Sequence, residues 1–139
     1  MNRGSYVLII KLNNESTLKY GNNSRKFKEG YYLYVGSAMN SLSGRVKYHL
    51  SSEKRGRWHI DKLLKIATLE YVLMIPYVKK IEEKISNRFL REKSLEVIEK
   101  FGSSDTKTIG NLFFVKDRNF FAKIFEIIEE VKRYDSIHE

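Results

Sequence analysis

Residues 5–12 (Ser-Tyr-Val-Leu-Ile-Ile-Lys-Leu) form an almost unbroken apolar run rich in β-branched side chains. Such a run predicts a central strand buried on both faces. Asn13-Asn14 ends it. Residues 16–20 and 25–28 read as two short, polar strands around Gly21-Asn22-Asn23-Ser24. A turn fits there because Gly and Asn tolerate positive φ. Residues 31–35 predict the next strand, stopping at Gly36. The chain therefore reads as opening on an antiparallel meander of three or four strands.

Helical spacing then takes over. Leu42, Arg45, Val46, His49 and Leu50 predict a helix capped by Ser41 or Ser43. Residues 51–57 are polar and read as a basic loop. A second helix is expected over 58–67, with Ile60, Leu63, Leu64 and Ala67 on one face. Residues 68–76 predict a strand ending at Pro76, the one proline of the chain. A long helix is expected over 79–99, its stripe running Ile81, Ile85, Phe89 and then Leu95 or Ile98. Gly102 reads as a stop. Leu112 to Val115 predict a last strand. Residues 118–133 predict a wide amphipathic helix with Phe120, Phe121, Ile124, Phe125, Ile128 and Val131 on its apolar side. The class is α+β, a small central antiparallel sheet of three or more strands flanked by helices.

At 139 residues the chain reads as one domain, residues 1–139, and 42% hydrophobic residues can build a core. The formal net charge of +9 favours a polyanionic partner, nucleic acid above all. The absence of cysteine excludes disulfides and thiolate metal sites. No signal-like pattern opens the chain, and no apolar run approaches the length that crosses a bilayer. The expectation is a soluble, cytoplasmic protein without membrane contact.

Polar groups suited to phosphate chemistry crowd between residues 34 and 61. Arg45 and His49 are four apart and share a helix face. A guanidinium forks onto two phosphate oxygens and stays charged at any relevant pH. Lys54, Arg55 and Arg57 form a cationic loop beside them, able to track a phosphate backbone or simply to sit solvated. Read alone, Tyr6, Tyr31, Tyr32 and Tyr34 are ordinary strand aromatics. Alternation sets Tyr32 and Tyr34 on one face and Tyr31 on the other, in the core. Trp58 reads as packing, and His59 as either a site residue or a core histidine bonded to Asp61 or to backbone.

Two spaced fragments, Ser5-Tyr6-Val7 and Tyr34-Val35-Gly36, resemble the half-motifs of the GIY-YIG nuclease superfamily. Ser37-Ala38, Leu42, Gly44-Arg45-Val46 and His49 continue that pattern. Trp58-His59-Ile60-Asp61 and Phe101-Gly102-Ser103-Ser104-Asp105 resemble a narrower group of small stand-alone prokaryotic GIY-YIG-like proteins. That domain also occurs fused to DNA-repair glycosylases. The match spans residues 4–116, leaving 117–139 as an additional C-terminal helix.

The resemblance implies a three-stranded antiparallel sheet between helices and metal-dependent endonuclease cleavage of DNA, in repair or processing. It implies Tyr6, Tyr34, Arg45, His49, His59 and Asn111 as catalytic residues and Glu82 as the metal ligand. Glu83 is its rival, about 100° away around a helix. One carboxylate suits Mg²⁺, with Mn²⁺ as the alternative, because such ions keep most of their waters. Tyrosine is a poor base at its ordinary pKa of about 10. Tyr34 as base, or as a group orienting water, would need help from Arg45, the metal, Tyr6 and His49. Other readings are a non-cleaving DNA- or RNA-binding module on the same fold, and a scaffold using the C-terminal helix. DNA is favoured over RNA as partner. The chain is expected to be a monomer or a homodimer through that helix.

The sequence departs from the pattern in two respects. Tyr6 and Tyr34 are 28 residues apart, a longer gap than most of the superfamily has, though the narrower group inserts a similar hairpin. Thr106, Thr108 and Asn111 stand where that group usually carries cysteines and a histidine.

Overall fold

A computed structural model of the chain describes residues 1–54, 56, 58–101 and 109–137. Strand β1 (Gly4–Leu12) is buried almost end to end, as a run without polar alternation requires. It is an interior strand, next to one edge, of a five-stranded, wholly antiparallel sheet. One neighbour is β4 (Gly30–Ala38), in a register that sets Tyr6 opposite Gly36 and Leu8 opposite Tyr34. The other is β5 (Thr68–Pro76), an edge strand. The strand order is β5-β1-β4-β7-β6, where β6 is Leu95–Ile98 and β7 is Leu112–Val115.

The expected opening meander is corrected. Strands β2 (Ser16–Tyr20) and β3 (Asn23–Phe27) pair only with each other, as a separate two-stranded sheet. Each buries the last residue of its run, Tyr20 or Phe27, and leaves most of the rest in solvent. The hairpin thus leaves the main sheet and returns, and β1 pairs directly with β4. Strand β4 also runs past Gly36 to Ala38, two residues beyond its expected stop, and these residues prove central to the site.

The layers follow from strand alternation. Tyr6, Leu8, Ile10, Tyr32 and Tyr34 face α1 (Leu42–Leu50), α2 (His59–Leu64) and the hairpin, packing with Leu42, Val46, Ile60, Leu63, Tyr20, Phe27 and Phe101. Val7, Ile9, Leu33 and Val35 face α3 (Glu82–Phe89) and α4 (Ile124–Ile137), packing with Ile81, Ile85, Phe89, Ile127 and Val131. Ser41 caps α1 by accepting the Gly44 amide at 3.0 Å. The expected α+β architecture is the one observed, and no helix among the described residues is long and apolar enough to cross a membrane.

Two helices differ from expectation. The helix expected over 79–99 ends at Phe89, and Leu95–Ile98 form β6. Leu95 and Ile98 are three apart and both buried, which imitates one helical face. They instead lie on opposite faces of a strand, each covered by a different core. The expected helix 118–133 breaks into a 3₁₀ turn over Arg118–Ala122 and then α4. The break at Lys123 shifts the phase, so Ile124, Ile127, Ile128 and Val131 form the buried stripe and Phe125 lies outside it. The buried face of α4 covers the domain's own core. Tyr31, expected in the core, is only half-buried.

Candidate functional site

At the C-terminal end of β4 a single residue touches elements from both layers. The Ser37 carbonyl accepts a hydrogen bond from Arg45 Nη1 of α1 at 3.2 Å. The Ser37 hydroxyl donates to Glu82 Oε1, in the first turn of α3. α1 and α3 pack on opposite faces of the sheet, and Ser37 bonds to a side chain from each. Asn111, just before β7, completes the polar row. Its backbone carbonyl accepts Val35 N–H at 2.9 Å, its Nδ2 reaches Glu82 Oε2 at 3.5 Å, and its Oδ1 accepts Ser86 Oγ at 3.1 Å. Glu82 is nearly buried, and Lys80 Nζ stands 3.5 Å from its carboxylate.

Tyr6 and Tyr34 come in from β1 and β4. The Tyr6 ring lies across Gly36, where a Cβ would stand 2.4 Å from the ring and its hydroxyl. Only glycine admits that crossing. The Tyr6 hydroxyl shares a 2.8 Å hydrogen bond with His49 Nε2 and lies against the Arg45 guanidinium. Burial pushes the Tyr6 pKa up to about 12 although Arg45 opposes the shift. Tyr34 is raised further, by burial first and then by Tyr6 and Glu82. Both shifts therefore run opposite to the lowering that a tyrosine base would need. Both hydroxyls stay protonated at neutral pH. His49 is lowered to about 4, chiefly by burial, and is therefore neutral.

Arg45 is held on its other side. Trp58 lies under the guanidinium, 4.5 Å from Cζ to the ring centroid. Trp58 packs as expected, but on a charge. Its backbone N–H donates to the buried Asp61 carboxylate at 3.3 Å, and Tyr48 OH donates to the same oxygen at 2.8 Å. The Trp-His-Ile-Asp block is therefore a brace for the end of α1.

Tyr6, Tyr34, Arg45, His49, Glu82 and Asn111 come together in this way. His59 does not join them. Its ring packs against Tyr20 and Phe101 at centroid distances of 5.5 and 5.8 Å, beside Gly21 of the hairpin turn. Between the rival carboxylates, Glu82 faces the cluster and is buried, while Glu83 is half-exposed. Lys54 lies near enough for its charge to bear on His49, and its ammonium donates to the Ser51 carbonyl. Arg55, Arg57, Gly102–Asp105, Thr106 and Thr108 lie outside the described residues.

Sequence reasoning assigned no role to Ser37, Ser86 or Lys80. Ser37 directly follows the Tyr-Val-Gly fragment, and Ser86 is one turn after Glu82, so spacing could have suggested both. Among the described residues no group of three or more His, Asp or Glu side chains could hold a metal. The oxygen donors at this point are the Glu82 carboxylate and the Ser37 hydroxyl; Asn111 turns its Nδ2 to Glu82, and its Oδ1 is taken by Ser86. One carboxylate and one hydroxyl fit an ion such as Mg²⁺ that takes most of its shell from water and substrate oxygens.

A model of the family described as domain of unknown function DUF123 matches residues 5–133. The chain belongs to that family. The match takes in every member of the cluster, and in this DUF123 chain it extends into α4. No curated protein and no solved structure matches the chain.

Proposed function

We propose that this chain is a metal-dependent endonuclease of the GIY-YIG type, hydrolysing phosphodiester bonds in DNA in a cytoplasmic repair or processing role. The observation that carries the reading is the junction at Ser37. It draws a guanidinium from one layer and a carboxylate from the other to one strand end, beside two tyrosine hydroxyls. A phosphodiester needs such a set: fixed positive charge for the phosphorane-like transition state, an acid ligand for a cation, and groups that orient water.

Arg45, held flat by Trp58, binds the phosphate oxygens. Tyr34 and Tyr6 remain protonated, so they position the attacking water by hydrogen bonds. Neutral His49 shares the Tyr6 hydroxyl and fixes its orientation. Glu82, supported by Ser37 and Asn111, would hold Mg²⁺ or Mn²⁺, which when bound supplies positive charge against the phosphate oxygens.

The test is incubation with labelled single-stranded, duplex, flapped and four-way DNA and with RNA, in Mg²⁺, Mn²⁺ or EDTA. Metal-dependent cleavage is expected, reduced on the order of 10²-fold or more in Arg45→Ala and Glu82→Gln. Cleavage that survives in both variants would overturn the assignment. A second reading, a module that binds DNA or RNA without cutting, draws on the raised tyrosines and the single carboxylate. It expects salt-sensitive binding without a metal requirement and no cleavage by the native chain.

A further inference from the structure

The opposite face of the sheet carries a groove that the site above does not use. α4 and the 3₁₀ turn cover only part of the face built by Val7, Ile9, Leu33 and Val35. Beside edge strand β5 they leave a cavity of about 480 Å³ lined by Ile9, Tyr31, Leu73, Phe121 and Ile124, with Tyr71 and Phe125 at its rim. These last two aromatics are left in water, 63% and 66% exposed. Large apolar groups gathered around an open groove mark a contact site.

The polar groups at the groove define the occupant. Lys11 Nζ stands 4.6 Å from the Tyr31 ring centroid, and the Arg118 guanidinium 5.1 Å from it. One carboxylate, Glu70, bears on the Tyr31 hydroxyl. The groove therefore combines aromatic faces with a surplus of cations. A second copy of this +9 chain would bring more positive charge to the same place. A single strand of nucleic acid meets both demands, since every base has a π-face and every link a phosphate.

We propose that Tyr71 and Phe125, at the rim of this groove, stack unpaired bases of a single nucleic-acid strand, with Arg118 and Lys11 engaging the flanking phosphates. Ile9 and Tyr31 lie on the sheet face opposite Tyr6 and Tyr34, so this surface is separate from the Arg45–Glu82 cluster. It would hold a strand already parted from its complement.

The test is binding in EDTA, so that it stands apart from cleavage. Fluorescence anisotropy would compare a labelled oligothymidylate with an abasic oligomer of equal length and phosphate number. The native chain is expected to prefer the oligothymidylate. Tyr71→Ala combined with Phe125→Ala should weaken that ligand by roughly tenfold or more and leave the abasic oligomer unchanged. Both residues are exposed, and an unchanged thermal midpoint would show that the variant is folded. Arg118→Ala should weaken both ligands and lower the salt dependence. Equal affinity of the native chain for the two oligomers, no binding at all, or an aromatic variant that binds the oligothymidylate undiminished would overturn the proposal. So would sedimentation showing a native dimer that the aromatic variant dissolves, which would make the groove a self-interface.

Discussion

The Tyr6 ring lies flush on Gly36 of the neighbouring strand, with no room for a methyl group between them. The two residues face each other in register across β1 and β4, so the contact is set by strand pairing. It aims the Tyr6 hydroxyl at His49 and Arg45.

Gly36→Ala should therefore act as an overpacking mutation and as a site mutation together. Urea unfolding is expected to show a loss of about 1–3 kcal/mol. In the Tyr6→Ala background the same change should cost much less, because the clashing ring is gone. Equal costs in the two backgrounds would mean that the ring and the glycine do not meet.

His49 makes stability depend on pH. Its pKa falls from about 6.5 in an unfolded chain to about 4 in the fold, so the unfolded state binds the extra proton first. The stabilisation from a neutral, buried His49 is complete above about pH 6.5. It declines as pH drops through the window between the two values, by about 3 kcal/mol at most. Chemical unfolding measured from pH 7.5 to pH 4 should show this slope, and His49→Gln should flatten it. A native chain as stable at pH 4 as at pH 7 would contradict the assignment.

Trp58 lies under the guanidinium of Arg45, which also donates to the Ser37 carbonyl. Trp58→Leu should lower cleavage by roughly 3- to 30-fold, the worth of a partly shielded cation–π contact. Trp58→Phe should restore part of it. In an Arg45→Ala background, Trp58→Leu should add little. An additive effect of the two changes would place Trp58 in packing alone.

Asp135, buried on the last turns of α4, fastens that helix to α3 and the β5–α3 loop. It accepts from Tyr77 OH at 2.9 Å, pairs with Lys84, and lies 3.6 Å from Lys79 Nζ. Asp135→Ala should lower the urea midpoint and increase amide exchange in α4 before the rest of the sheet. Uniform exchange throughout the domain would show that α4 does not come away as a separate unit.

Much of the fold was legible because the hydrophobic period was unambiguous in the long elements. The unbroken run 5–12, the 31–35 aromatics, the spacing from Leu42 to Leu50 and the Val-Leu-Met-Ile segment before Pro76 each became the expected element. Errors fell where two periods fit the same residues. Leu95 and Ile98 satisfy a helix stripe and a doubly covered strand equally well, and only the presence of β7 alongside decides. Phe125 looked apolar and therefore inward, but a break at Lys123 turned it to solvent. The hairpin strands were found, but local propensity carries no information on which partner a polar strand chooses.

The sequence by itself determined the α+β class and most element positions, because these follow from local periodicity, and its resemblance to the GIY-YIG pattern supplied the candidate site residues. It could name Arg45 and Glu82 as candidates but not bring them together, being 37 positions apart on helices of opposite layers. Tertiary packing decided that Ser37 joins them, that Glu82 and not Glu83 turns inward, and that His59 lies under the hairpin. It also decided the protonation of the tyrosines, since burial depends on the chain that folds over them. Proximity across a sheet is a property of strand order, and strand order is settled by the whole core at once.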